Sequence, residues 1–114
     1  MRDIWDYIPE RGDIVWLNFN PQAGHEQGGR RPALVISPQV YNEKVGLALM
    51  CPITSKVKGY PFEVSLHVSA KVSGVVLADQ IKSLDWQVRK AEFVCKALDD
   101  IMEEVLDKIQ VLVS

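Results

Sequence analysis

The 114-residue chain has little of several things, and each shortage excludes something. It has two cysteines, Cys51 and Cys95, each inside an apolar run. Two such residues read as buried free thiols rather than as a disulfide framework. It has two histidines, His25 and His67, and neither pairs with a cysteine at zinc-like spacing. There is no phosphate-binding P-loop and no GxGxxG, so neither a metal nor an organic cofactor is expected. No stretch approaches the roughly 20 apolar residues of a membrane span. Met1 to Glu10 carries Asp3, Asp6 and Glu10 and has no apolar centre, so no secretory signal is expected there and a cytoplasmic location is. A basic excess is missing too: 13 basic and 15 acidic residues leave a net charge of −2, unlike a typical duplex DNA binder.

What is present is an ordinary globular balance, 47% apolar and 25% charged, in a chain of single-domain length. The charge is unevenly spread. Asp99 to Ser114 holds five acids and one lysine, whereas the rest of the chain holds 12 bases and 10 acids. The part before the final segment is therefore mildly basic.

Periodicity divides the chain into short strands and one helix. Ile14 to Phe19, Ala33 to Ile36, Leu47 to Ile53, Phe62 to Val68, Val75 to Ala78 and Phe93 to Cys95 read as strands, separated by glycine, proline and polar turns. Pro52 suggests an edge strand or a bulge. Gln39 to Lys44 reads as a short helical turn. His67 falls on the polar side of an alternating run and reads as a solvated strand residue. At the end Leu98, Ile101, Met102, Val105, Ile109 and Leu112 recur at helical spacing, a stripe suited to docking on the strands or on a second copy of the chain. Asp99 and Asp100 open that helix, where its dipole favours negative charge. The order implies a mainly β protein with α, a small barrel or strongly bent sheet carrying a C-terminal helix.

Two polar loops concentrate chemistry. Gly24-His25-Glu26-Gln27-Gly28-Gly29-Arg30-Arg31-Pro32 is one, and Pro52-Ile53-Thr54-Ser55-Lys56-Val57-Lys58-Gly59-Tyr60-Pro61 is the other. Their four cations, Arg30, Arg31, Lys56 and Lys58, suit a phosphate-bearing ligand. Trp16, Phe19 and Tyr60 are candidate stacking surfaces for unpaired bases. Lys82 is a further candidate for a phosphate, and Gln80 for a base edge or for a structural backbone contact.

These residues also carry a resemblance. Arg11-Gly12-Asp13-Ile14-Val15-Trp16, Asn20-Pro21, Gly24-His25-Glu26-Gln27, Arg31-Pro32-Ala33-Leu34-Val35-Ile36-Ser37, Tyr41-Asn42, Pro52-Ile53-Thr54, Lys58-Gly59-Tyr60-Pro61-Phe62-Glu63-Val64 and Val76-Leu77-Ala78-Asp79-Gln80-Ile81-Lys82-Ser83 occur in that order. The set resembles the MazF (PemK, Kid) toxins of bacterial toxin–antitoxin systems, over nearly the whole chain. His67 to Ser73 matches least.

The resemblance implies an SH3-like barrel with an added helix, acting as a homodimer. It implies a metal-independent endoribonuclease that cuts single-stranded RNA, chiefly messenger RNA, leaving 2′,3′-cyclic phosphate and 5′-hydroxyl ends. It also implies a MazE-like antitoxin as partner. Arg31, Thr54 and Glu26 take the family's catalytic positions, and Phe19, His25, Arg30, Lys56, Lys58, Gln80 and Lys82 are the candidate RNA contacts. Arg31 suits a phosphate, since its fork matches two oxygens, but its pKa makes it a poor base. Glu26 and His25 are the better proton acceptors, with Glu26 also able to orient Arg31. Two rivals share the fold: a CcdB-like toxin that acts on DNA gyrase by protein contact, and a peptide-binding adaptor.

Overall fold

The structure, a computed structural model, describes residues 7–19, 29–66 and 71–114. Among these described residues seven antiparallel strands, β1 (Asp13–Asn18), β2 (Arg30–Val35), β3 (Leu47–Thr54), β4 (Glu63–Ser65), β5 (Val75–Leu77), β6 (Lys82–Asp85) and β7 (Glu92–Lys96), form one sheet. Two α-helices join them, α1 (Gln39–Val45) and α2 (Asp99–Val113). The strand order is β4-β5-β3-β2-β1-β7, with β6 also on β3. This is the mainly β architecture that the periodicity implied. The short turn expected from Gln39 is α1, closed by Gly46 in the left-handed conformation that glycine adopts at no steric cost.

Alternation on the strands separates two cores. Ile14, Leu34, Cys51, Ile53, Val64 and Val76 face one way and are covered by Ile101 and Val105 of α2. Val15, Leu17, Phe19, Ala33, Val35 and Met50 face the other way and pack with Leu84 and Trp86. Each fully buried aliphatic side chain is worth about 1.5–3 kcal/mol. The stripe of α2 divides accordingly. Ile101 and Val105 are buried and Met102 and Ile109 pack beside them, while Leu98 and Leu112 stay exposed. Docking explains the middle of the stripe and not its ends.

The structure revises two readings. The strand expected over Val75 to Ala78 ends at Leu77, where the 3-10 turn Ala78–Gln80 separates it from β6, a strand the periodicity did not indicate. From Met50 to Ile53, β3 advances three residues while its partner spans the six from Lys82 back to Val76. The three surplus residues are that turn. Pro52 accordingly lies in an inner strand, not an edge, but beside this interruption, where a missing N–H costs no ladder bond. His67 lies outside the described residues.

A polar knot ties α1 to the sheet. Asn42 is fully buried; its amide donates to Pro9 O at 2.8 Å and to Ser37 O at 3.0 Å. Its side-chain oxygen accepts from the Ser37 hydroxyl at 2.5 Å, and its carbonyl accepts from Trp86 Nε1 at 3.0 Å. Ser37 Oγ in turn accepts the Leu49 N–H at 2.8 Å.

A cleft where two strands part

The candidate site follows from the register of β2 and β3. Ala33 lies opposite Pro52, and there the pairing ends. Arg30, Arg31 and Pro32 pair with β1 alone, and Ile53 and Thr54 pair with β5. Pro32 has no N–H to give to β3, which accounts for the parting on the β2 side. Arg31 and Thr54 each lie two residues past that last pair, so each stays on the face of its own strand that Ala33 and Pro52 occupy. The parting opens a cleft of about 380 Å³ lined by Trp16, Arg30, Arg31, Pro32, Ile53, Thr54, Ser55, Lys71, Val72 and Ser73.

Within it, Thr54 is only 6% exposed, and its Oγ1 accepts the Lys56 N–H at 3.1 Å. That bond shapes the turn leaving β3 and leaves the hydroxyl hydrogen to be donated. Arg30 also lines the cleft, but its guanidinium is engaged toward β7. It donates to Asn18 Oδ1 at 3.3 Å, to Lys90 O at 3.1 Å and to Glu92 Oε1 at 3.3 Å. Trp16 is 39% exposed on the same wall and offers a ring face for a base.

The other expected contacts divide. Phe19 is corrected: at 2% exposure it belongs to the core with Leu17 and Val15, two and four residues back on the same face, so its ring is not presented to a ligand. The period-2 pattern of Ile14 to Phe19 already carried that signal. Lys56 and Lys58 are exposed on the loop that follows β3, outside the cleft lining. The loop is held by Glu63, whose carboxylate accepts the Lys58 and Gly59 N–H groups, each at 3.0 Å. Tyr60 O–H donates to Asp79, and that bond holds the phenol above its ordinary pKa. Gln80 sits in the 3-10 turn and Lys82 in β6, half-buried and likewise outside the lining. Glu26 and His25 lie outside the described residues. Lys71 and Ser73 are lining residues that the sequence analysis did not single out.

Both cysteines are free thiols, Cys51 buried and Cys95 half-buried. Burial, with Asp79 adding to it, pushes the Cys51 thiol up to about 12, so it carries no nucleophile at neutral pH. Among the described residues no helix is long and apolar enough to cross a membrane, and no group of three His, Cys, Asp or Glu side chains is placed to hold a metal ion.

Comparison with known proteins agrees with this architecture. Residues 10–113 match the family described as PemK-like, MazF-like toxin of type II toxin-antitoxin system. The endoribonuclease toxin MazF of Escherichia coli (strain K12) is 44% identical over 108 residues, covering 95% of this chain and 96% of its own. The crystal structure of MazF (form I) from Deinococcus radiodurans matches with a TM-score of 0.91 at 58% identity, covering 95% of this chain and 98% of that one. A MazE–MazF crystal structure (form II) from the same organism matches at 0.85 and 58% identity, covering 95% and 97%.

Proposed function

The chain belongs to the PemK-like, MazF-like toxin family of type II toxin–antitoxin systems, and from that premise we propose that it is an endoribonuclease cutting single-stranded RNA in its Arg31–Thr54 cleft. The observation that carries this reading is the cleft, lined by both Arg31 and Thr54, that opens where β2 and β3 part.

The chemistry follows from what the cleft offers. The ribose 2′-hydroxyl attacks the adjacent phosphorus, and its proton passes to a base. The bond to the departing 5′-oxygen breaks as that oxygen is protonated. The products are a 2′,3′-cyclic phosphate and a 5′-hydroxyl, and no metal ion takes part. Arg31 grips two phosphate oxygens and stabilises the charge that grows on them. Thr54 donates its hydroxyl hydrogen to the same group while its turn with Lys56 keeps it in place. Trp16 stacks a neighbouring base. Lys56, Lys58 and Lys82 hold phosphates along the strand, and Gln80 reads a base edge. Glu26 and His25 are the candidates for proton transfer, since an arginine pKa above about 12 excludes Arg31 as base.

As a toxin of this class the protein acts in the cytoplasm and stops growth by cutting messenger RNA. It works as a homodimer, for which the exposed Leu98 and Leu112 offer apolar surface. An acidic, MazE-like antitoxin segment neutralises it by occupying the cationic cleft, a pairing supported by the MazE–MazF complex of its relative. The test is to digest total RNA with the purified protein in EDTA and to map new 5′-hydroxyl ends. Ends clustered at one short sequence support the reading; intact RNA, or cutting that requires a divalent metal, overturns it.

A further inference from the structure

One wall of the cleft comes from the turn before β5, and that turn is fixed to the catalytic strand by close packing. Gly74 has φ +117°, and a Cβ there would lie 2.2 Å from the carbonyl oxygen of Thr54 and 2.8 Å from its carbonyl carbon. Only glycine permits this approach. The turn is anchored twice more. Val72 is buried in the core beneath it, and Gly74 O accepts the Leu66 N–H at 3.1 Å. Because Val75 pairs with Thr54, residues 71–73 are held in a set relation to the Thr54 hydroxyl.

That placement brings a lysine to the site. Three cations line the cleft among the described residues: Arg30, Arg31 and Lys71. The Arg30 guanidinium is engaged with Asn18, Lys90 and Glu92. Lys71 is exposed at the rim and stands on the β5 side, whereas both arginines stand on β2. A nucleic acid strand crossing the cleft presents one phosphate per nucleotide, and a compact ammonium on a flexible stem suits such a phosphate without demanding one geometry. We propose that Lys71 binds the phosphate neighbouring the one held by Arg31 and Thr54, and that Gly74 is the positioning residue that puts it there. This rests on the cleft being the RNA site.

The experiment measures binding apart from cutting. A short single-stranded RNA carrying the mapped cut sequence, with a 2′-deoxy sugar at the cleavage position, is titrated against the protein at several salt concentrations, and the cleavable RNA is assayed in parallel. Lys71→Ala is expected to weaken binding and raise KM about 5–10-fold and to change kcat less than about twofold. It should reduce the salt slope by about 0.7, the value for one phosphate contact on a single strand. Lys71→Arg restores both. Lys44→Ala, which removes the same charge from exposed α1 outside the cleft, leaves them unchanged. Unaltered affinity in Lys71→Ala, or an equal loss in Lys44→Ala, overturns the proposal. A parent protein that binds the deoxy analogue but does not cut the cleavable RNA refutes the endoribonuclease reading, while the Lys71 assignment is still decided by the binding data. A parent that binds neither refutes both.

Discussion

The Ser37–Asn42 knot and the Arg31–Thr54 cleft are both polar clusters built where strands meet other elements, yet they are opposites. In the knot, Asn42 is fully buried and its side-chain donors and acceptor, along with its carbonyl, are spent on Pro9, Ser37, Gly46 and Trp86. In the cleft, Thr54 spends its oxygen on a turn and keeps a hydrogen to donate, beside cations on an open wall. A closed polar cluster contributes to the fold, because each buried partner left alone costs about 1–3 kcal/mol. An open one contributes to binding, since it keeps a donor such as the Thr54 hydroxyl for a ligand. Residue type does not separate the two; enclosure does, Asn42 being fully buried and the cleft open.

Substitutions on either side can break that contrast. The largest effect is expected from Arg31→Ala, which should slow RNA cleavage about 10²–10³-fold, the size seen when one donor to a developing oxyanion is lost. Its urea midpoint should stay near the parent's. A matching fall in stability would place Arg31 with the knot. Asn42→Ala should do the reverse. It strands the Ser37 and Pro9 carbonyls and is expected to lower the unfolding free energy by about 3 kcal/mol in urea titrations. Cleavage per folded molecule should be unchanged. Thr54→Val, nearly the same shape without the hydroxyl, is expected to lower kcat about tenfold, with Thr54→Ser recovering most of it. The smallest effect belongs to the exposed Arg30–Glu92 pair, whose side chains are 38% and 73% accessible. Glu92→Gln should cost less than about 1 kcal/mol in the same titration.

Much of the fold was legible because it depends on local periodicity. Apolar runs and alternation located every described strand but β6 (Lys82–Asp85), and helical spacing located α2 down to the buried pair Ile101 and Val105. The division between β5 and β6 was not legible, since it arises from the mismatch of two ladders on β3 rather than from a turn signal in Ala78-Asp79-Gln80. For the site, Arg31 and Thr54 were read from their loops and the family pattern, and the cleft they share arises where strand pairing ends, which the sequence does not show. Phe19 was misread because its aromatic character outweighed its alternation with Val15 and Leu17. Lys71 had no local signal at all. It reaches the cleft through the contact of Gly74 with Thr54, twenty residues earlier in the chain.

The central claim is that Arg31 and Thr54 act together on one phosphate across the gap between β2 and β3. A double-mutant cycle on single-turnover cleavage in EDTA tests it most directly. If the two share that phosphate, Arg31→Ala with Thr54→Val should cut little more slowly than Arg31→Ala alone, because the hydroxyl has lost the group it was aimed with. Losses that multiply in full would mean that the two residues act independently, and would contradict the account.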